Sequence, residues 1–211
     1  AYPTIIYPVG DPVFQHVTWD EEEGSVKLVA IMPEMDEVMQ DQYETILDRI
    51  IEVAHTAEIP RTLDELKSVL TNLFNEVAHV SSTSERPSFL NSLGKKVALT
   101  QEQYDIILFH LIKDRLGYAK LEPILRDVYI EDISCIGVGA VWVVHKIFGS
   151  VETSVVFKND IELNKYVVET SERVERPVSE STPIVDAVMP DGSRANYIYS
   201  RKVSLGGSSF T

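Results

Sequence analysis

The chain has 211 residues, 44% of them apolar, and 33 acidic against 19 basic side chains, a formal net charge of −14. That apolar share can fill the core of one large domain or two small ones, while the lack of a basic face argues against direct nucleic-acid binding, because phosphates are neutralised by clustered lysine and arginine. A lone cysteine, Cys135, excludes an internal disulfide and a thiolate metal cluster; set between Ile133 and Ile136, it reads as a small buried hydrophobe.

No run of about 18 or more apolar residues occurs, so neither a signal peptide nor a membrane span is visible, and a soluble cytoplasmic chain is expected. Charge is uneven along the sequence: residues 1–50 carry 11 acids against 2 bases, and the rest is close to neutral. The acidic runs Asp20–Glu23 and Glu34–Glu37 read as a solvated turn and a helix start.

The opening holds Pro3, Pro8 and Pro12 among β-branched residues. Alternation then predicts strands over Val13–Trp19 and Ser25–Met32, a hairpin around the turn Asp20–Gly24. After Pro33 the period becomes helical, with Val38, Met39, Ile46, Leu47, Ile50 and Ile51 three or four residues apart, predicting a helix to about Ala57. Thr62 followed by Asp64 and Glu65 starts a second helix with Leu66, Val69, Leu70, Leu73, Phe74 and Val77 on its apolar face, ending at the polar run Ser81–Ser84. A connector containing Pro87 and Gly94 leads to Thr100, which with Gln103 forms a capping box for a third helix, Gln101 to Leu116. Gly117 fits a helix C-cap.

Beyond Gly117 the texture is mixed. A short helix over Leu121–Arg126 precedes strands over Glu131–Ile136, Ala140–Ile147 and Val151–Phe157. Asn159 or Asp160 caps a helix to about Arg173. Ile184–Met189 and Arg194–Tyr199 flank Pro190–Ser193, a connection typical of tight hairpins. The predicted class is α+β: residues 1–116 as an acidic hairpin plus a three-helix bundle, and residues 117–211 as an α/β subdomain whose antiparallel-rich sheet carries a helix on one face.

Catalytic patterns are absent from the sequence. No GxxxxGK(S/T) run offers backbone amides and a lysine to phosphates; Gly206-Gly207-Ser208-Ser209 lacks the lysine, and Gly137-Val138-Gly139 leads into a strand rather than a helix. The histidines His16, His55, His79, His110 and His145 lack the spacing that puts two metal ligands on one helix face, and no GxSxG elbow occurs. Neither a cofactor nor a metal is expected within the chain.

One long run carries a resemblance. Leu121-Glu122-Pro123-Ile124-Leu125-Arg126-Asp127 with Tyr129-Ile130-Glu131-Asp132-Ile133-Ser134 resembles the "LEPLLRDPYIEDIS" signature of archaeal secretion ATPases, the group that serves type II and type IV secretion, pilus assembly and the archaellum. Val143-Val144-His145-Lys146 with Phe148-Gly149-Ser150 is similar to the "VHKxFG" hairpin that follows there. Thr182–Ala187 with Met189–Arg194 is similar to "PIVDAxLPDGSR", and Gly207–Thr211 to the end of "RGSSFT". The matches fall within residues 117–211 and keep their order; the first 116 residues match only in character.

The resemblance implies an N-terminal regulatory and oligomerisation region that stops before a RecA-like ATPase core. It implies ATP and Mg for the full-length protein. The implied partners are that core, five further copies in a homo-hexamer, and a membrane platform protein, with the assembly peripheral at the inner face of the membrane. It also implies that arginines from this region reach the terminal phosphate: Arg194, in the "DGSR" match, is the leading candidate, with Arg176 and Arg201 behind it. Gly206 stands where the family usually has an arginine, so that residue's role does not transfer. Asp186 and Asp191 read first as turn and strand-end hydrogen-bonding groups. The alternative function is a stand-alone cytosolic adaptor that binds a partner through its acidic N-terminal part.

Overall fold

The computed structural model describes residues 4–81, 96–189, 192–200, 203–204 and 206–211. It divides into two compact units, Ala1–Met32 with Pro123–Thr211, and Pro33–Glu122. The fold is α+β, as the sequence pattern predicts, but the N-terminal strands do not belong with the helices.

The discontinuous unit is one nine-stranded sheet. β1 (Thr4–Pro8), β2 (Phe14–Asp20) and β3 (Ser25–Ile31) form a meander, β6 (Ile130–Ile136), β7 (Gly139–His145) and β8 (Gly149–Phe157) a second one, and β9 (Ile184–Val188), β10 (Arg194–Ile198) and β11 (Ser209–Phe210) complete it. The order is β1-β2-β3-β8-β7-β6-β11-β10-β9. Neighbours are antiparallel except β3 and β8, which run parallel with Lys27 opposite Glu152 and Leu28 opposite Thr153. This pairing is why the hairpin expected in a 1–116 subdomain instead extends the C-terminal sheet: buried Val13, Val17 and Leu28 would otherwise lose their cover.

Within this sheet two strands lie outside the sequence-based expectation. β1 carries Pro8 at its last position, which is tolerated because β1 is the sheet's edge and a missing donor there breaks no ladder. β11 is only two residues long, too short to show a period, yet it bridges β6 and β10. The acidic turn between β2 and β3 is organised by Asp20, whose Oδ1 accepts from the backbone N–H of Glu22 (2.9 Å) and Glu23 (3.1 Å). Lys27 Nζ lies 2.8 Å from Asp20 and 3.0 Å from Glu23, and the bond to Lys27 holds the Asp20 carboxyl below its ordinary range.

One face of the sheet is closed by α5 (Asp160–Arg173), which packs on β8, β10 and β11. Asn159 caps it by accepting from Glu162 N–H at 2.9 Å, and Glu162 Oε2 accepts from the N–H of Lys158, the residue before the cap, at 2.8 Å. Phe157, Tyr166 and Phe210 meet with ring centroids 5.1–5.9 Å apart and pin β8, α5 and β11 together.

The Pro33–Glu122 unit holds α1 (Glu37–Val53), α2 (Leu63–Val77) and α3 (Gln101–Arg115), with short parallel strands β4 (Ala78–Val80) and β5 (Val97–Leu99). Its core is Tyr43, Ile46, Ile50, Leu73, Phe74, Val77, Leu99, Ile107 and Leu111. Asp36, Thr62 and Thr100 cap the three helices, Thr100 through the expected capping box with Gln103. The connector with Pro87 and Gly94 lies outside the described residues. Gly117 does follow α3, yet its φ is not left-handed; a Cβ there would sit 2.5 Å from Glu122 Oε2 and 2.7 Å from the Lys113 carbonyl, so close approach rather than a C-cap conformation demands glycine. The short helix α4 (Glu122–Leu125) follows. Among the described residues, no helix is long and apolar enough to cross a membrane.

The strand pairing makes a direct prediction about dissection. Residues 33–122 expressed alone should give a dispersed amide spectrum and a cooperative melt, because their core is contiguous in sequence. Residues 118–211 alone should not fold, since they lack β1–β3, whereas residues 1–32 joined to 123–211 by a flexible linker should. A cooperative melt from 118–211 alone would contradict the pairing.

Candidate functional site

Alternation along β10 sets the geometry around Arg194. Ala195 and Tyr197 are buried under α5, so Arg194 and Asn196 point to the opposite, open face. Asp186 on β9 is the register partner of Asn196 and accepts from its Nδ2 at 2.8 Å. Thr211 exchanges backbone hydrogen bonds with Asn196 at 2.8 and 3.0 Å. With Asp132 and Val188, these residues line an open depression on the outer face.

Arg194 is exposed, and among the described residues nothing hydrogen-bonds or ion-pairs with its guanidinium. Its backbone is fixed at the mouth of the β9–β10 hairpin, where Met189 N–H donates to the Ser193 carbonyl at 2.8 Å. The depression therefore offers a five-donor fork on a rigid strand, flanked by two carboxylates, of which Asp186 is already engaged. Arg176 is not brought to it: it follows α5, in the layer against the other face, with its backbone N–H on the Ser171 carbonyl at 2.9 Å. Arg201 and Asp191 lie outside the described residues.

Gly206, where the resemblance expects arginine, has a backbone that other residues adopt, and among the described residues a Cβ there would meet only Ser204 Oγ at 3.8 Å. The constrained glycine is its neighbour Gly137, at φ +86°, where a Cβ would overlap the Gly206 carbonyl. The Gly137–Gly139 turn is thus shaped by packing.

A second polar cluster is buried and is not apparent from residue spacing, because it joins positions 120 and 138 residues apart. Tyr7 Oη donates to Asp127 Oδ2 at 2.6 Å and lies 3.2 Å from His145 Nε2. Ile147 N–H donates to His145 Nδ1 at 3.1 Å, so Nδ1 is bare and the proton sits on Nε2, which donates to Tyr7. Tyr129 N–H donates to Asp127 Oδ1 at 2.9 Å, and the Tyr129 and Phe148 rings lie 5.8 and 4.9 Å from the imidazole. Burial pushes the His145 pKa down, with Asp127 opposing, and pushes the Tyr7 hydroxyl well up, with Asp127 adding to it. His145 is 2% exposed and Asp127 4%. The cluster is a buried clasp that ties β1 to the segment before β6 and to the β7–β8 turn.

Comparison with known proteins gives the chain relatives without an assigned role. No family model matches it. It is similar to the uncharacterized protein MJ0900 of Methanocaldococcus jannaschii, 42% identical over 215 residues that cover 100% of this chain and 39% of that protein. The uncharacterized protein MJ1288 of the same archaeon is 36% identical over 99 residues, 46% of this chain and 39% of that protein. The chain thus spans about two fifths of the length of the curated relatives it matches. Among solved structures, the VirB11 ATPase from the Brucella suis type IV secretion system in complex with sulphate aligns with a TM-score of 0.37 and 22% identity over 43% of this chain and 28% of that one, a weak similarity.

The clasp predicts a pH response. His145 is held below its ordinary pKa of about 6.5, so the fold favours the neutral ring. The stabilisation is complete above about pH 6.5 and is lost as pH falls through the lower folded value. His110, half-buried, is also shifted down, by burial first, and contributes in the same direction. The difference in urea-unfolding free energy between wild type and His145→Gln should therefore shrink from pH 7.5 to pH 5, isolating His145. Tyr7→Phe should cost about 1–3 kcal/mol at neutral pH by leaving Asp127 Oδ2 without its donor. A constant difference across this range, or a neutral Tyr7→Phe, would overturn the clasp.

Proposed function

We propose that this chain is the N-terminal, non-catalytic region of a hexameric secretion-superfamily ATPase, and that Arg194 faces a nucleotide phosphate held by the remainder of the protein. The observation that carries this is the exposed guanidinium of Arg194, without a partner among the described residues, at the position of the "DGSR" match. Two supports accompany it: the ordered motif run over residues 117–211, and the length of MJ0900, of which this chain accounts for 39%.

In this reading ATP and Mg bind on the rest of the protein, and bound nucleotide supplies the phosphate charge that the chain's arginine answers. Arg194 places two parallel N–H groups on phosphate oxygens, a geometry lysine cannot reproduce. The β9–β10 hairpin keeps the fork oriented, and Asn196 holds Asp186 so that its carboxylate does not take the guanidinium. The Asp132 and Asp186 carboxylates keep the depression from being strongly positive, so the chain alone should bind nucleotide weakly. Closure of this region against the core on ATP binding transmits motion to a membrane-embedded platform protein, whether in a pilus, an archaellum or a secretion machine.

The isolated chain should show no ATP turnover above background. In the full-length protein Arg194→Ala should lower turnover about 10- to 150-fold, the loss of roughly 1.5–3 kcal/mol of charge-assisted bonding. Its melting temperature should hardly move, since exposed positions change stability by about 0.5 kcal/mol. Arg194→Lys should restore part of the activity. Unchanged turnover with a large fall in melting temperature would make Arg194 structural.

A further inference from the structure

The helical unit leaves three large aliphatic side chains in water around the α1–α2 connection. Ile51, near the end of α1, is 71% exposed, Ile59 in the α1–α2 connection 91%, and Leu63, the first residue of α2, 64%. The bundle does not need them: its core draws on Ile46 and Ile50 from α1 and on Leu73, Phe74 and Val77 from α2. At 100° per residue Ile51 lies at the margin of the α1 face that bears Glu44, Asp48 and Glu52, which fall about 20°, 60° and 100° to one side of it. Glu58 adjoins Ile59, and Asp64 and Glu65 follow Leu63, so residues 44–65 set six carboxylates against two arginines around the three apolar groups.

We propose that this surface is a docking knob for a basic protein segment, an amphipathic helix or loop whose apolar side receives Ile51, Ile59 and Leu63 and whose lysines or arginines meet the carboxylate rim. The charge decides the occupant. A second copy would bring acid against acid, and an anionic bilayer or a nucleic acid would be repelled, whereas a basic segment gains steering and rim contacts while it buries the aliphatic groups. The knob is preorganised, because Thr62 caps α2, Glu65 Oε2 accepts from Arg61 N–H at 2.7 Å, and Pro60 restricts the connection. The inference is independent of Arg194, which lies in the other unit.

The test uses a labelled synthetic helix of alternating leucine and lysine faces as the probe, with fluorescence anisotropy at about 50 and about 300 mM salt. Wild type should bind it, and the triple variant Ile51→Ser, Ile59→Ser, Leu63→Ser should bind about tenfold or more weakly with an unchanged melting temperature, because those side chains are already exposed. Asp48→Asn, Glu52→Gln, Glu58→Gln should flatten the salt dependence. Equal binding by wild type and the triple variant overturns the proposal, as does equal binding of a leucine-glutamate helix. Capture on phosphatidylglycerol vesicles, or a dimer in sedimentation, that depends on the same three residues would assign the surface to a membrane or to a second copy and would also overturn it.

Discussion

The parallel pairing of β3 with β8 is the constraint on which the rest of the molecule depends. Lys27 and Leu28 meet Glu152 and Thr153 across more than a hundred residues of sequence, and Ala30 N–H continues the seam to Ser154 Oγ at 3.1 Å. A parallel neighbour cannot be reached through a tight turn, so the chain must leave the sheet at Ile31 and return after a long excursion. Here the excursion contains the whole Pro33–Glu122 unit. Closing so long a loop costs little more than closing one half its size, about 0.6 kcal/mol per doubling, which makes a domain-sized insertion thermodynamically tolerable. Its consequence is kinetic: the sheet's central seam is non-local and should form late, after the locally wired helices.

Once the seam exists, the two faces of the sheet take different tasks. One is a dry core, with Val141, Val143, Val151, Val155 and Phe157 covered in part by α5 and pinned by the Phe157–Tyr166–Phe210 contacts. The same face hosts the Tyr7–Asp127–His145 clasp, a polar network that is tolerable there because each of these contacts pairs a donor with an acceptor. The other face is open, and there the strand period presents Arg194, Asn196, Asp186 and Asp132 together. Strand alternation thus separates what stabilises the unit from what it exposes on the open face.

The helical unit achieves the same division with a period of 3.6. Ile46 and Ile50 turn inward while Ile51, one residue on, turns outward at the margin of the face that bears Glu44, Asp48 and Glu52. Much of the acidic character of the N-terminal half is therefore a feature of one exposed helix face and the α1–α2 connection. Another part organises the β2–β3 turn, where Asp20 and Glu23 share Lys27, and Asp36 caps α1.

By itself the sequence determined what is local. Alternation marked β2, β3 and β6–β10, three- and four-residue spacing marked α1 and α2, and Asn159 and the Thr100–Gln103 pair announced the starts of α5 and α3, because each signal lies within a few residues of what it specifies. The apolar setting of Cys135 likewise foretold its burial. Arg194 was visible only through its motif; its exposure follows from which neighbours α5 buries. Tertiary structure alone decided that the N-terminal strands join the C-terminal sheet, that two residues at Ser209–Phe210 act as a bridging strand, and that Tyr7, Asp127 and His145 form one clasp. The physical reason is shared: partners far apart in the sequence are chosen by competition among all the buried surfaces the chain can make, and that choice leaves no periodic trace in the residues on either side.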